Sequence, residues 1–476
     1  MRLRTIALTA LLVLMTACSP IRRENVILIV VDTLRADHLS LAGYARATSP
    51  RLAEYAPRGT YFDRFHSHSS WTRPSVATIL TSLMPRSHGI VTSGDALSRA
   101  VVTLPEALRI AGYDTLAFVA NPQIHPALGF DQGFESFFDL FRKELNPMLI
   151  VPEDIPASAT DAEALAKTIA VLRAEAHSPF FAYVHLLDPH GPYTPDAADA
   201  AEFAISGYRG PISGSIHDFA KLALAPAVEA ADLAQFKALY DAEIRGTDRD
   251  LGAFLDDLDR AGMLANTHVL VTSDHGEEFL EHGGTGHGRK LHEEQIHVPL
   301  LWIGPGVPRG KVVHDLAGLV DLAPTLIDLL GVRAEGMKLE GRSLRPLWEE
   351  GGFDPERTVL LEEFSGELAG ESGRQVPFVG RGLLADARKL LVEPYRLDRQ
   401  RGGRLTVFDL AADPGERAPR TLAEDPARWS PADAALVARW VRLDGASTRL
   451  APAQLAPPAA LPEEDRARLR SLGYLD

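Results

Sequence analysis

Five short apolar runs punctuate the chain: "NVILIVVD" from Asn25, "DTLAFVAN" from Asp114, "FFAYVHLLD" from Phe180, "THVLVTSD" from Thr267 and "HVPLLWIG" from His297. Each has the length and the Val, Ile, Leu or Phe content of a strand. Their apolarity is nearly continuous rather than alternating. That pattern predicts strands covered on both faces, as in parallel sheets. Helical patterns lie between them. "TLPEALRIAGY" from Thr103 carries Pro105 near its start and Gly112 near its end, the usual punctuation of a helix. "LYDAEIRGTDRDLGAFLDDLDRAG" from Leu239 is a longer amphipathic stretch, and "DLAPTLIDLLGV" from Asp321 a shorter one. Alternation of strand and helix predicts an α/β fold: a doubly wound, mostly parallel central sheet.

The pattern changes beyond residue 350. "KLLVEPYRLDRQRGGRLTVFDLAADPGE" reads as short strands with a turn at Gly402-Gly403, a hairpin signal. "LAPAQLAPPAALP" is an Ala/Pro-rich connector, and "LPEEDRARLRSLGYLD" a terminal helix. No internal repeat is evident. The expected organisation is a leader over 1–17, a tether over 18–24, a catalytic α/β domain over 25–350 and a smaller C-terminal α+β part over 351–476.

Length and charge narrow the function classes. The chain has 476 residues and a net charge of -15. That length is ample for a sizeable core. The acidic balance argues against nucleic-acid binding, which needs a basic footprint. The only cysteine, Cys18, closes "MRLRTIALTALLVLMTAC". Two arginines, an apolar run and small residues before the cysteine have the form of a signal peptide. "Met15-Thr16-Ala17-Cys18" resembles a bacterial lipobox, with Cys18 lipidated. The expected place is therefore the periplasmic side of a bacterial envelope, with a lipid anchor in the outer membrane and no other membrane contact. Ser19 suits that sorting. A single cysteine allows no intrachain disulfide.

Four of the five runs end in polar residues: Asp32, Asn121, Asp188 with His190, and Asp274 with His275. In open α/β sheets ligands bind at the carboxyl ends of strands. One such end is ordinary turn chemistry. Several with metal-ligand side chains point to a site. Asp32, Asp274 and His275 make a mixed O/N set for one divalent cation, suited to Zn²⁺ or Mn²⁺ ahead of Ca²⁺ or Mg²⁺. "HEEQIHVPLLW" lacks the zincin spacing, and its apolar run reads as a core strand, so it is taken as structural.

With these residues in view, the chain resembles the sulfatase family of the alkaline-phosphatase superfamily. The matching stretches are "NVILIVVDTLRADHLSLAGY", "SSWTRPSVATILTSLMPRSHG", "LPEALRIAGYDTLAFVAN", "GFDQGFESF", "LLDPHGPY", "SDHGEEFLEHGGTGHG", "HVPLLWIGPG", "VDLAPTLIDLLGV" and "VFDLAADPGE", in order along the chain. The resemblance implies a large α/β domain with a smaller C-terminal part and hydrolysis of sulfate or phosphate esters. It places Asp32, Asp274 and His275 among the metal ligands and Thr72 at the nucleophile, its oxygen also on the metal. His190 and His287 fall where histidines contact substrate or protonate the leaving group. Lys290 falls near a cation that neutralises the bound anion. Arg73 either clamps that anion or lies on the surface after a turn. Arg35 and Asp37 support the site or close the turn.

The departures matter as much. The family signature is Cys-x-Pro-Ser-Arg, with the cysteine oxidised to formylglycine. Here the positions read Thr72-Arg73-Pro74-Ser75-Val76, so no formylglycine is expected. Thr33 stands where many members have a further metal aspartate. A formylglycine hydrate has two hydroxyls, one to attack and one to expel sulfate. Threonine has one. It suits attack on phosphorus, with the adduct resolved by water. The expectation is a metal-dependent hydrolase of sulfate or phosphate esters, leaning to phosphodiesters and phosphonate esters. Its partners would be a sulfated or phosphorylated small molecule, glycan or lipid. The alternatives are a phosphoryl transferase on envelope lipids or glycans, and a non-catalytic binding lipoprotein.

Overall fold

The computed structural model describes residues 23–141, 160–174, 176, 179–349, 354–364, 379–395 and 404–446. The leader, Cys18, the Gly402-Gly403 turn and the terminal helix lie outside them. All five apolar runs form strands. In chain order the large sheet contains β1 (Asn25–Val31), β2 (Thr60–His66), β3 (Asp114–Val119), β4 (Ser136–Asp139), β5 (Phe180–Leu186) and β6 (Thr267–Ser273). A two-stranded ribbon follows, β7 (Glu278–Phe279) with β8 (Thr285–Gly286), and then β9 (His297–Ile303), β10 (Lys311–Val313) and β11 (Ala317–Gly318). The sheet order is β10-β2-β9-β6-β1-β5-β3-β4, with β11 also on β2.

The sheet is doubly covered, as the unbroken apolarity predicts. Along β1, Ile27, Ile29 and Val31 enter one core, while Val26, Leu28 and Val30 enter the other. One core packs against the long helix Ala230–Arg260, and the other against the helix Thr72–Thr81. The expected helices are present as Leu104–Ile110, Ala230–Arg260 and Leu322–Leu330. The first starts in a capping box between Thr103 and Glu106, which satisfies backbone donors at the helix start. Strand direction departs from the parallel expectation at β9, which runs antiparallel to both β6 and β2. Its apolarity reports burial on both faces, and burial does not encode direction.

The C-terminal part is an antiparallel sheet of β12 (Thr358–Phe364), β13 (Val379–Ala385), β14 (Arg388–Tyr395), β15 (Arg404–Asp409) and β16 (Arg420–Thr421). β14 and β15 pair as the hairpin pattern predicts, Arg388 with Asp409 through Glu393 with Arg404. The helix Pro431–Ala446 packs Leu436, Val437 and Trp440 on this sheet. Among the described residues no helix is long and apolar enough to cross a membrane.

Candidate functional site

The site forms where β6, β1, β5 and β3 lie side by side. Register aligns Val31 with both Ser273 and Leu186. The next residues, Asp32 and Asp274, therefore leave the sheet at one level. Asp32, Asp274 and His275 place ligand atoms within 4.8 Å of one another, and all three are fully buried. His275 Nε2 lies 3.5 Å from Asp32 Oδ1 and 3.6 Å from Asp274 Oδ2. Those two carboxylate oxygens accept no hydrogen bond among the described residues.

Two buried carboxylates this close repel. Burial and the neighbouring Asp32 push the Asp274 carboxyl well above its usual range. Burial also raises Asp32, but His190, His185 and His275 outweigh it and hold that carboxyl well below the ordinary value. Buried charges persist when paired or bound to a metal. Orphaned oxygens on two carboxylates, converging with an imidazole nitrogen, fit a divalent cation.

Local structure fixes each ligand. Asn121, at the end of β3, donates from Nδ2 to Asp32 Oδ2. The chain turns sharply after Asp32 because Thr33 sits at φ 54°, a left-handed conformation that is costly for a β-branched residue. Tyr240 on the long helix secures that turn by donating its hydroxyl to the Thr33 carbonyl at 2.7 Å. His275 Nδ1 lies 2.9 Å from the Gly276 carbonyl. Donation there leaves Nε2 with a free lone pair. Burial pushes the His275 imidazole down to about 3, which keeps it neutral and able to ligate.

Thr72 is the first residue of its helix and is fully buried. Its Oγ1 lies 3.2 Å from His275 Nε2, so the hydroxyl meets the cluster. The free N–H groups of a helix start favour an anion beside Thr72. Ser75, three residues on, bonds back to the Trp71 carbonyl at 2.8 Å and to Ser67 Oγ at 3.0 Å, which holds the loop before the helix.

A cavity of about 320 Å³ opens above this point, lined in part by Trp71, His190, Glu277, His287 and Arg289. His287 packs on His275, ring centroids 4.4 Å apart, and on His190 at 5.1 Å. His287 Nδ1 lies 2.9 Å from Glu277 Oε1, and Tyr193 donates to Glu277 Oε2 at 3.3 Å. Burial raises the Glu277 carboxyl to about 7 and lowers His287 to about 4. Burial lowers His190 as well, against the pull of Asp32. A carboxyl beside an imidazole orients it and tunes its proton affinity. Arg35 supports the same point: it donates from Nη1 to the Glu277 carbonyl at 2.8 Å and pairs with Asp37 at 2.7 Å.

The sequence-predicted residues Asp32, Thr72, His190, Asp274, His275 and His287 thus come together. Arg73 and Lys290 do not line the cavity. Arg73 is neither a clamp on the pocket wall nor a surface residue. It is fully buried, and its guanidinium donates to the Asp95 carbonyl at 3.1 Å and to Gln123 Oε1. Lys290 turns to Glu278 at 2.8 Å and to the His282 carbonyl at 2.7 Å. His66, His68 and His88, beside the Thr72 loop, bond Glu293, the Leu360 carbonyl and the Pro74 carbonyl respectively. Glu277, Asn121, His185 and Arg289 belong to the site but carry no spacing signal. Glu277 and Asn121 do fall in or beside strand-end stretches that the pattern singles out.

A second cluster, His282, His292 and Glu416, also brings ligand atoms together. Its rings stack at 3.7 Å and 18°, so their in-plane lone pairs run side by side rather than converge. His282 is engaged on both nitrogens, by Glu294 at 2.7 Å and the Glu416 carbonyl at 3.2 Å. This cluster joins the C-terminal part to the large sheet, in keeping with a structural reading of "HEEQIHVPLLW".

The family model described as "Sulfatase" matches residues 24–332. Among curated relatives, Arylsulfatase K of Rattus norvegicus is 30% identical over 191 residues, 39% of this chain and 32% of that protein. Arylsulfatase K of Danio rerio is 41% identical over 116 residues, 24% of this chain and 22% of that one. The chain thus spans a third or less of the length of these relatives. Among solved structures, a phosphonate monoester hydrolase of Agrobacterium radiobacter superposes with a TM-score of 0.71 at 22% identity, covering 92% of this chain and 100% of that one. A protein solved with its substrate D-glucosamine-2-N,6-O-disulfate superposes at 0.70 and 20% identity, covering 89% and 98%. At such identities the likeness carries the fold.

Proposed function

Because the chain belongs to the sulfatase family, we propose that it is a divalent-metal-dependent hydrolase of sulfate or phosphate esters with Thr72 as its nucleophile. The observation that carries this is the placement of Thr72 Oγ1, 3.2 Å from His275 Nε2 and beside two carboxylate oxygens without partners. A cation held there by Asp32, Asp274 and His275 supplies positive charge for the anionic ester and for an ionising hydroxyl.

The chain's own residues do the rest. Thr72 Oγ attacks phosphorus as the bond to the ester oxygen breaks. The hydroxyl proton passes to the neutral imidazole of His287, which Glu277 orients, or of His190, and that imidazolium gives it to the departing oxygen. The product is a phosphothreonine. Water then attacks phosphorus and gives a proton to the same histidine, which passes it to Thr72 Oγ as the bond from phosphorus to Thr72 breaks. A single hydroxyl cannot collapse to an aldehyde to expel sulfate. This favours phosphodiesters and phosphonate monoesters over sulfate esters. The exported, lipid-anchored placement at Cys18 is part of the same proposal.

The test is a turnover panel of aryl sulfate, aryl phosphate, aryl phosphodiester and phosphonate monoester, with and without Zn²⁺ or Mn²⁺. Diester or phosphonate turnover should fall about 10³-fold or more in Thr72→Ala and survive in part in Thr72→Ser. Turnover of sulfate alone, unchanged in Thr72→Ala, would refute the nucleophile.

A further inference from the structure

The cavity over Thr72 is built to read more than the reacting anion. Its lining combines Trp71, Phe219 and Phe364 with the polar groups of Ser93 and Gln123, and it includes Arg289. Arg289 is exposed. Among the described residues it makes no hydrogen bond or ion pair. The neighbouring cations are engaged elsewhere: Arg73 by Gln123 and the Asp95 carbonyl, Lys290 by Glu278. In a chain of net charge -15, a guanidinium left open on a pocket rim is a recognition group rather than part of a surface ion-pair network.

The backbone fixes where Arg289 stands. The Gly288 N–H donates to the Ser70 carbonyl at 2.8 Å, two residues before Thr72. Gly288 has φ 79°, and a Cβ there would meet Trp71 Cβ at 3.4 Å. That contact is an ordinary one, and it is the positive φ that favours glycine here. The Thr285 hydroxyl, on β8, donates to the Phe219 carbonyl at 2.8 Å and ties the aromatic wall to the same segment. Arg289 is thus held next to the Thr72 loop and beside His287, whose imidazole its charge helps to push down.

We infer that Arg289 forms an anion subsite, so that the preferred substrates are esters whose leaving or retained group is a flat, largely apolar ring carrying a second oxyanion. The inference rests on the proposed ester hydrolase reading for the position of the first anion. The aromatic wall takes the ring, and the guanidinium takes the carboxylate, sulfonate or phosphate in bidentate fashion. Substrates without the second charge lose that contact and bind less tightly.

Binding of product-like probes tests this separately from turnover. Phenylphosphonate, 4-carboxyphenylphosphonate and 4-sulfophenylphosphonate are titrated calorimetrically into the full chain loaded with Zn²⁺ or Mn²⁺. At least one doubly charged probe should bind about tenfold more tightly than phenylphosphonate, and the larger gain identifies carboxylate or sulfonate as the fitting anion. Arg289→Gln should abolish the difference, while Arg289→Lys should keep part of it. Equal affinity for all three probes, or a preference that survives Arg289→Gln, overturns the subsite. Absence of turnover on every ester, with the probe preference intact, counts against the hydrolase reading and leaves the subsite standing.

Discussion

Under the proposed function, Thr72 and the three candidate ligands around it decide the chemistry at the scale of single residues. Asp274 gives the sharpest prediction there. Without metal, burial and the neighbouring Asp32 penalise its ionised form, so Asp274→Asn should leave the chelated protein as stable as, or more stable than, the chelated parent. With Zn²⁺ at 100 times its dissociation constant the parent should gain about 2.7 kcal/mol, and the variant much less. Thermal melts with and without chelator, together with metal content after dialysis, measure both. Glu277 predicts a kinetic effect: Glu277→Gln should slow turnover while leaving the melting temperature nearly unchanged, because it removes the carboxylate that orients His287. The ligands were legible in the sequence because each ends an apolar strand, where a carboxylate drawn into the dry interior needs a cation to balance it. Arg73 and Lys290 were not, because sequence names a charge but not its partner. Burial turns Arg73 into a brace for Gln123, and Glu278 draws Lys290 aside.

Among the elements, the helix Thr72–Thr81 depends on what holds its first turn. His88 Nε2 bonds the Pro74 carbonyl at 3.2 Å, and Nδ1 accepts from the Ile90 N–H at 3.2 Å. Burial pushes this imidazole down to about 3. The unfolded chain takes up a proton near 6.5, and the folded one does not. Stability from this group is therefore complete above pH 6.5 and falls between pH 6.5 and about 3, by about 1.4 kcal/mol per pH unit. His88→Gln should flatten the fall of the urea midpoint over that window, and an unchanged slope would assign the acid sensitivity elsewhere. Strand and helix positions were legible because period and burial are written in the side chains. The antiparallel course of β9 was not, since its residues pack identically in either direction.

For the molecule as a whole, the two sheets meet through buried charge. Lys389 on β14 is fully buried between Glu293 at 3.1 Å and Glu416 at 2.8 Å. Removing one partner of such a group leaves uncompensated charge, so Lys389→Met should cost about 3–5 kcal/mol in urea denaturation. Nothing in the spacing of Lys389 announces this role, because the contact joins residues about a hundred positions apart. The C-terminal sheet also reaches the reaction centre. Glu363 on β12 accepts from the Ser70 N–H at 2.9 Å and the Ser70 hydroxyl at 2.6 Å, and the Glu362 N–H donates to the His68 carbonyl. The segment that the family model matches ends at Val332. A gene trimmed to that segment would therefore encode every residue assigned to bond-breaking yet lack the backing of the loop that presents the nucleophile. The fold that backs Thr72 is thus longer than the segment the family model matches, and a search that ranks such proteins by that segment alone will miss the part that keeps Thr72 in place.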